Sequence, residues 1–118
     1  MGERMGPDLL RGSLDLMVLS LLARGSTYGY QLQQSLREAS GDLVQVQAGT
    51  LYPLLHRLEA DGLIHSQWDD STGRRRKWYE LTKKGQKQLA TQADQWDQYV
   101  ACIQLLLTPI RKSLPQPA

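Results

Sequence analysis

Arg74, Arg75, Arg76 and Lys77 form one run, and with Lys83, Lys84 and Lys87 they place half of the fourteen Lys and Arg residues within fourteen positions. Cations held this close repel one another, so the simplest chemistry for such a cluster is to meet a polyanion. The run follows Asp69-Asp-Ser-Thr-Gly73, a stretch dense in turn formers, and leads into Trp78-Tyr-Glu-Leu81. That order puts the cations at the tip and on the return strand of a β-hairpin. The competing reading is a solvated hairpin partly neutralised by Asp69 and Asp70.

A second stretch, Gly49 to Ile64, stands just before the hairpin. Leu51, Leu54, Leu55 and Leu58 fall on one face of a helix expected over about Ala48 to Asp61. The opposite face carries Gly49, Pro53, His56, Arg57 and Ala60, flanked by Thr50 and Tyr52. It is small near its start and polar after it, as a surface entering a groove must be. Arg57 suits guanine, or a salt bridge to Asp61 four residues on. Tyr52 and Tyr28 can each donate to a phosphate or simply pack; the flanking position of Tyr52 favours contact. Pro53 leaves two options open. With Thr50 as the cap it lies in the first turn at no cost; with a helix that begins before Ala48 one hydrogen bond is lost and a bend is expected.

Other chemistry finds little support. No phosphate-cradling glycine loop and no Ser-His-Asp or Cys-His set is brought together by the expected helices, so no enzyme and no cofactor is expected. One cysteine, Cys102, excludes an intramolecular disulfide and a multi-cysteine zinc site; it reads as a small buried hydrophobe. His56 and His65 sit on different elements, so no metal is expected. The apolar run Leu14 to Ala23 is too short to span a bilayer and carries Asp15. No membrane partner and a cytoplasmic location follow as expectations. A net charge of +2 settles little by itself.

With 118 residues the chain has room for one core and an appended element. The expected fold is mainly α with a small β-hairpin: a winged helix-turn-helix plus a long C-terminal dimerisation helix. Residues 1–7 read as a flexible arm, 8–81 as the winged helix-turn-helix, 82–110 as the dimerisation helix and 111–118 as a flexible tail. A first helix starts with Asp8 as N-cap. A second, about Tyr28 to Ala39, is capped by Ser26 or Thr27. Leu63 to Trp68 and Arg74 to Leu81 form the hairpin, and Thr82 caps a last helix over about Lys83 to Leu107. Leu89, Ala93, Trp96, Val100, Ile103 and Leu107 step along that helix by three and four. A stripe of that length needs a partner, most simply a second copy of the chain.

Leu10-Arg-Gly-Ser-Leu-Asp-Leu16, Tyr28-Gly-Tyr30, Gly49-Thr-Leu-Tyr-Pro-Leu-Leu-His-Arg-Leu58 and Gly73-Arg-Arg-Arg-Lys-Trp-Tyr-Glu-Leu-Thr82 together resemble the PadR family of bacterial transcription regulators. The resemblance covers about residues 8 to 107, and the single C-terminal helix is similar to the smaller PadR subfamily. It implies a homodimer of winged helices on an inverted-repeat operator in double-stranded DNA, usually acting as a repressor of its own or a neighbouring gene. The recognition-helix positions fall on Thr50, Tyr52, Pro53, His56 and Arg57, and the wing on Arg74 to Lys77. Some members take flat aromatic compounds between C-terminal helices through a tryptophan, and Trp96 is similarly placed. Trp78 departs from the family's more usual tyrosine, and Ser26-Thr27 from its Pro-His pair. The alternative function is a winged-helix adaptor that binds protein without specific DNA binding.

Overall fold

The computed structural model describes residues 7–117, with side chains from Ser13 onward. Four helices and three short strands follow in the order α1 (Pro7–Arg24), β1 (Thr27–Tyr28), α2 (Gly29–Ala39), α3 (Ala48–Ala60), β2 (Ile64–Asp69), β3 (Arg76–Leu81) and α4 (Lys83–Leu107). Residues 1–6 of the expected arm lie outside the described residues. Pro7 opens α1, where its missing N–H costs nothing, so Asp8 lies inside the helix and is not its cap.

The first three helices close on one core. Leu19 of α1, Leu32 of α2, Leu51, Leu55 and Leu58 of α3 and Ile64 of β2 are fully buried together. The four leucines expected on the inner face of α3 are all buried. Its start matches neither option for Pro53: the helix begins at Ala48 itself, with Gln47 as N-cap and Thr50 as the third helical residue. The Gly49 carbonyl therefore receives no amide hydrogen from position 53.

Gly62 ends α3 at φ +76°. The Leu63 N–H reaches the Leu58 carbonyl at 3.0 Å and the Gly62 N–H reaches Glu59 at 2.9 Å, the paired bonds of a Schellman stop. The chain leaves directly into β2, so the exposed face of α3 and the hairpin are set side by side.

The sheet is antiparallel with β3 central, in the order β1-β3-β2. Trp68 stands opposite Lys77 and Ser66 opposite Tyr79 across the hairpin. Strand β1 is an addition to the expected hairpin: Thr27 pairs with Tyr79 and Tyr28 with Trp78. Consequently α2 starts at Gly29 with Tyr28 as its N-cap, and neither Ser26 nor Thr27 caps it.

Thr82 caps α4 as expected, accepting the Gly85 N–H at 2.9 Å. Lys84 Nζ donates to the Asp61 carbonyl at 2.8 Å and so ties the start of α4 to the end of α3. Leu89, partly buried, packs against the core of its own chain. Beyond it α4 projects, and the radius of gyration is 16.8 Å, against about 13.5 Å for a compact chain of this length. A 3-10 segment over Thr108–Ser113 carries helical turns past the expected boundary of the flexible tail at Arg111.

Candidate nucleic-acid interface

The outward face of α3 shows Gly49, Thr50, Tyr52, Pro53, His56, Arg57 and Ala60 to solvent. Its neighbour is the hairpin, whose tip is built by Asp69 to Gly73. The Ser71 N–H donates to Asp69 Oδ1 at 2.9 Å, and Gly73, at φ +78°, turns the chain back. The tip cations are placed on rings. Arg75 lies 4.4 Å from the centroid of Trp68 and Lys77 lies 5.4 Å from it. Arg76 donates to the Tyr30 hydroxyl at 2.8 Å and stands 5.1 Å from that ring. Such contacts fix long side chains that would otherwise sample many rotamers.

The carboxylate nearest the cations has partners of its own. Asp69 accepts from the hydroxyl of Tyr28 as well as from Ser71. Hydrogen bonds from Ser71 and from Tyr28 hold its pKa down at about 2, and the charge of Arg76 adds to the effect. The same bond to Asp69 raises the pKa of Tyr28. Tyr28 also meets Trp78 edge-on at 4.8 Å and stacks on Tyr30 at 5.7 Å. Its hydroxyl thus ties β1 to the wing.

Between α3 and the wing lies a cleft of about 400 Å³. Tyr52, His56, Arg75, Arg76 and Lys77 line it, joined by Gly29, Tyr30, Trp68 and Tyr79. No carboxylate is in that lining, so five of the ten residues expected to contact DNA converge on one electropositive trough. Arg74, Thr50 and Pro53 are exposed but stand outside it. Gly29 makes the close approach possible: a Cβ there would sit 3.0 Å from Tyr79 Cε2 and 3.2 Å from Tyr52 Cε1.

Arg57 departs from the expected ion pair with Asp61. It does not take Asp61; its two terminal nitrogens donate to the carboxylate of Asp15 in α1, at 2.9 and 2.7 Å. With Asp15 it borders a second cleft, of about 460 Å³, whose other walls include Gln92, Trp96 and Tyr99 of α4. Trp96 and Tyr99 lie 5.9 Å apart there, and the Gln92 side-chain oxygen is buried without a hydrogen-bond partner among the described residues. Cys102 is exposed in this chain, contrary to the buried position expected of it.

Tyr30, Trp68 and Asp15 were not among the expected site residues. The alternation of β2 held a signal for Trp68, since it shares a strand face with Ser66 and Ile64 and faces Lys77 across the hairpin. Asp15 gave none, being 42 residues from Arg57.

The chain matches the family model for the transcriptional regulator PadR-like family over residues 18–91. It belongs to the PadR family. A transcriptional regulator of Mycobacterium tuberculosis is 39% identical over 82 residues, 70% of this chain and 74% of that one. A PadR family transcriptional regulator from Eggerthella lenta is 39% identical, with a TM-score of 0.76 over 85% of this chain and 86% of that one. A transcriptional regulator from Clostridium thermocellum is 32% identical, with a TM-score of 0.77 over 84% and 94% of the two chains. The present PadR protein shares its overall fold with these two solved structures. Among its described residues no helix is long and apolar enough to cross a membrane.

Proposed function

We propose that this PadR protein binds double-stranded DNA as a homodimer at an inverted-repeat operator and represses its own or a neighbouring gene. One observation carries the reading: the polar face of α3 and the wing cations border a single trough with no carboxylate in its lining. A helix presenting Thr50, Tyr52, Pro53 and His56 fits the major groove, while Arg74 to Lys77 fit the adjoining backbone. Family membership and the names of its relatives support regulation of transcription.

The test is fluorescence anisotropy on duplex from upstream of the protein's own gene, against a scrambled duplex, across a salt series. Saturable binding that prefers the native sequence and weakens steeply with salt is the expected result. Absence of binding to either duplex at low salt overturns it and favours the adaptor reading.

The cleft beside Trp96 supports an aromatic effector as an added layer. A flat ring can lie on Trp96 and Tyr99, and the unpartnered Gln92 oxygen can accept a hydrogen bond from it. Trp96→Leu is expected to abolish fluorescence quenching by such a compound; an unchanged quench removes Trp96 from the proposal.

A further inference from the structure

The geometry points to Trp68 as a DNA contact in its own right, its ring taking the deoxyribose of a strand whose phosphates are held by Arg75 and Lys77. This rests on the DNA-binding reading above and adds a residue and a chemical role to it. Trp68 is 53% exposed, a large apolar ring kept at the surface of a hairpin that has no use for it in the core. Both neighbouring cations lie over it, Arg75 at 4.4 Å and Lys77 at 5.4 Å. Across the trough stand Tyr30 and Tyr52, 49% and 39% exposed. The surface thus alternates cation and ring.

A nucleic-acid strand alternates in the same way, phosphate and sugar. A small inorganic anion needs the cations and leaves the ring without purpose. An acidic peptide offers charge with no repeating apolar unit. In a duplex the bases are stacked inside, so the ring meets sugar and not base, and the contact carries no sequence information. Trp68 therefore adds affinity on any duplex, leaving base preference to α3.

Competition between two roles for the ring, direct contact and mere platform for the cations, is resolved by a mutant cycle. Affinities of the dimer for the operator and for a scrambled duplex are measured for Trp68→Ala, for the pair Arg75→Gln/Lys77→Gln, and for all three changes together. Trp68→Ala is expected to weaken binding to both duplexes about fivefold and to leave the salt slope unchanged, because it removes no charge. The same loss is expected in the Arg75→Gln/Lys77→Gln background, and Trp68→Phe is expected to regain most of it. No further loss in that background makes the ring a platform only and overturns the inference, as does a loss confined to the operator. A parent protein that binds neither duplex overturns the DNA reading itself, a different result from a parent that binds and a Trp68→Ala variant that binds equally well. Thermal melting accompanies each variant; if Trp68→Ala unfolds, Trp68→Leu replaces it with the same expected loss.

Discussion

Arg57 of α3 grips Asp15 of α1 through two parallel hydrogen bonds, 2.9 and 2.7 Å long. The fork-to-fork geometry fixes direction as well as distance, so the pair sets how α3 lies against α1. A guanidinium spent in this way positions the helix for its neighbours Tyr52 and His56. Both partners keep solvent contact, 54% and 31% for their side chains, which limits the pair to about 1 kcal/mol of stability. Arg57→Ala and Asp15→Asn are each expected to weaken binding to operator and scrambled duplex by a similar factor, about two- to fivefold, with base preference at the half-site unchanged. The exchange Asp15→Arg/Arg57→Asp is expected to restore part of the loss. Relaxed base preference in Arg57→Ala alone assigns Arg57 to guanine and overturns this role.

Gly85 is the most tightly enclosed glycine among the described residues. A Cβ there would lie 2.0 Å from the Leu63 carbonyl oxygen and 2.7 Å from Leu81 Cδ1. The first obstacle is backbone, which cannot swing aside, so the first turn of α4 must shift. Gly85→Ala is expected to cost about 2 kcal/mol or more despite the better helix propensity of alanine. Calorimetry checks it: the melting temperature falls by about 10 °C. A neutral or raised melting temperature contradicts the close packing of the first turn of α4 on the Leu63 carbonyl, just before β2.

What the sequence made legible was local. The leucine face of α3, the stop at Gly62, the turn before Arg74 and the Thr82 cap each depend on residues within a few positions of one another, and all are present. Strand β1 was illegible because two residues make no pattern; Thr27 and Tyr28 are extended only because β3, some fifty residues on, pairs with them. The Arg57–Asp15 pair and the Tyr28–Asp69 bond are hidden for the same reason, being 42 and 41 residues apart. Leu89 shows another limit: its spacing belongs to the stripe along α4, and no local pattern told that it also packs against the core of its own chain.

The bond between Tyr28 and Asp69 makes wing docking sensitive to extreme pH, with opposite signs for the two partners. Asp69 has its pKa lowered to about 2 by Ser71 and Tyr28, so its contribution is full above the ordinary carboxylate value and is lost as pH falls through about 2. Tyr28 has its pKa raised by the same bond; its contribution is full below the ordinary phenol value and is lost as pH rises through the raised one. Chemical denaturation across acid pH is expected to show the gap between parent and Asp69→Asn narrowing from about pH 4 to about pH 2. In the alkaline range, tyrosinate absorbance of Asp69→Asn is expected to show one phenol returning toward its ordinary value. Parallel stability curves and an unchanged alkaline titration contradict the bracing role.

On α4, the exposed residues Tyr99, Ile103 and Leu106 step by four and three, the spacing of a helix–helix seam, and exposed Ile110 follows in the 3-10 segment. Leu106, 70% exposed, lies well beyond the core of its own chain. A charge placed there is cheap in a monomer and costly in a buried interface. Leu106→Glu is therefore expected to leave the melting of the winged domain in place while shifting sedimentation equilibrium toward the monomer. Operator affinity is then expected to fall by about a hundredfold or more, because each half-site must be bound without the linkage that the second copy provides. A variant that stays dimeric, or a monomer that holds the operator as tightly as the parent, removes this face of α4 from the proposed assembly.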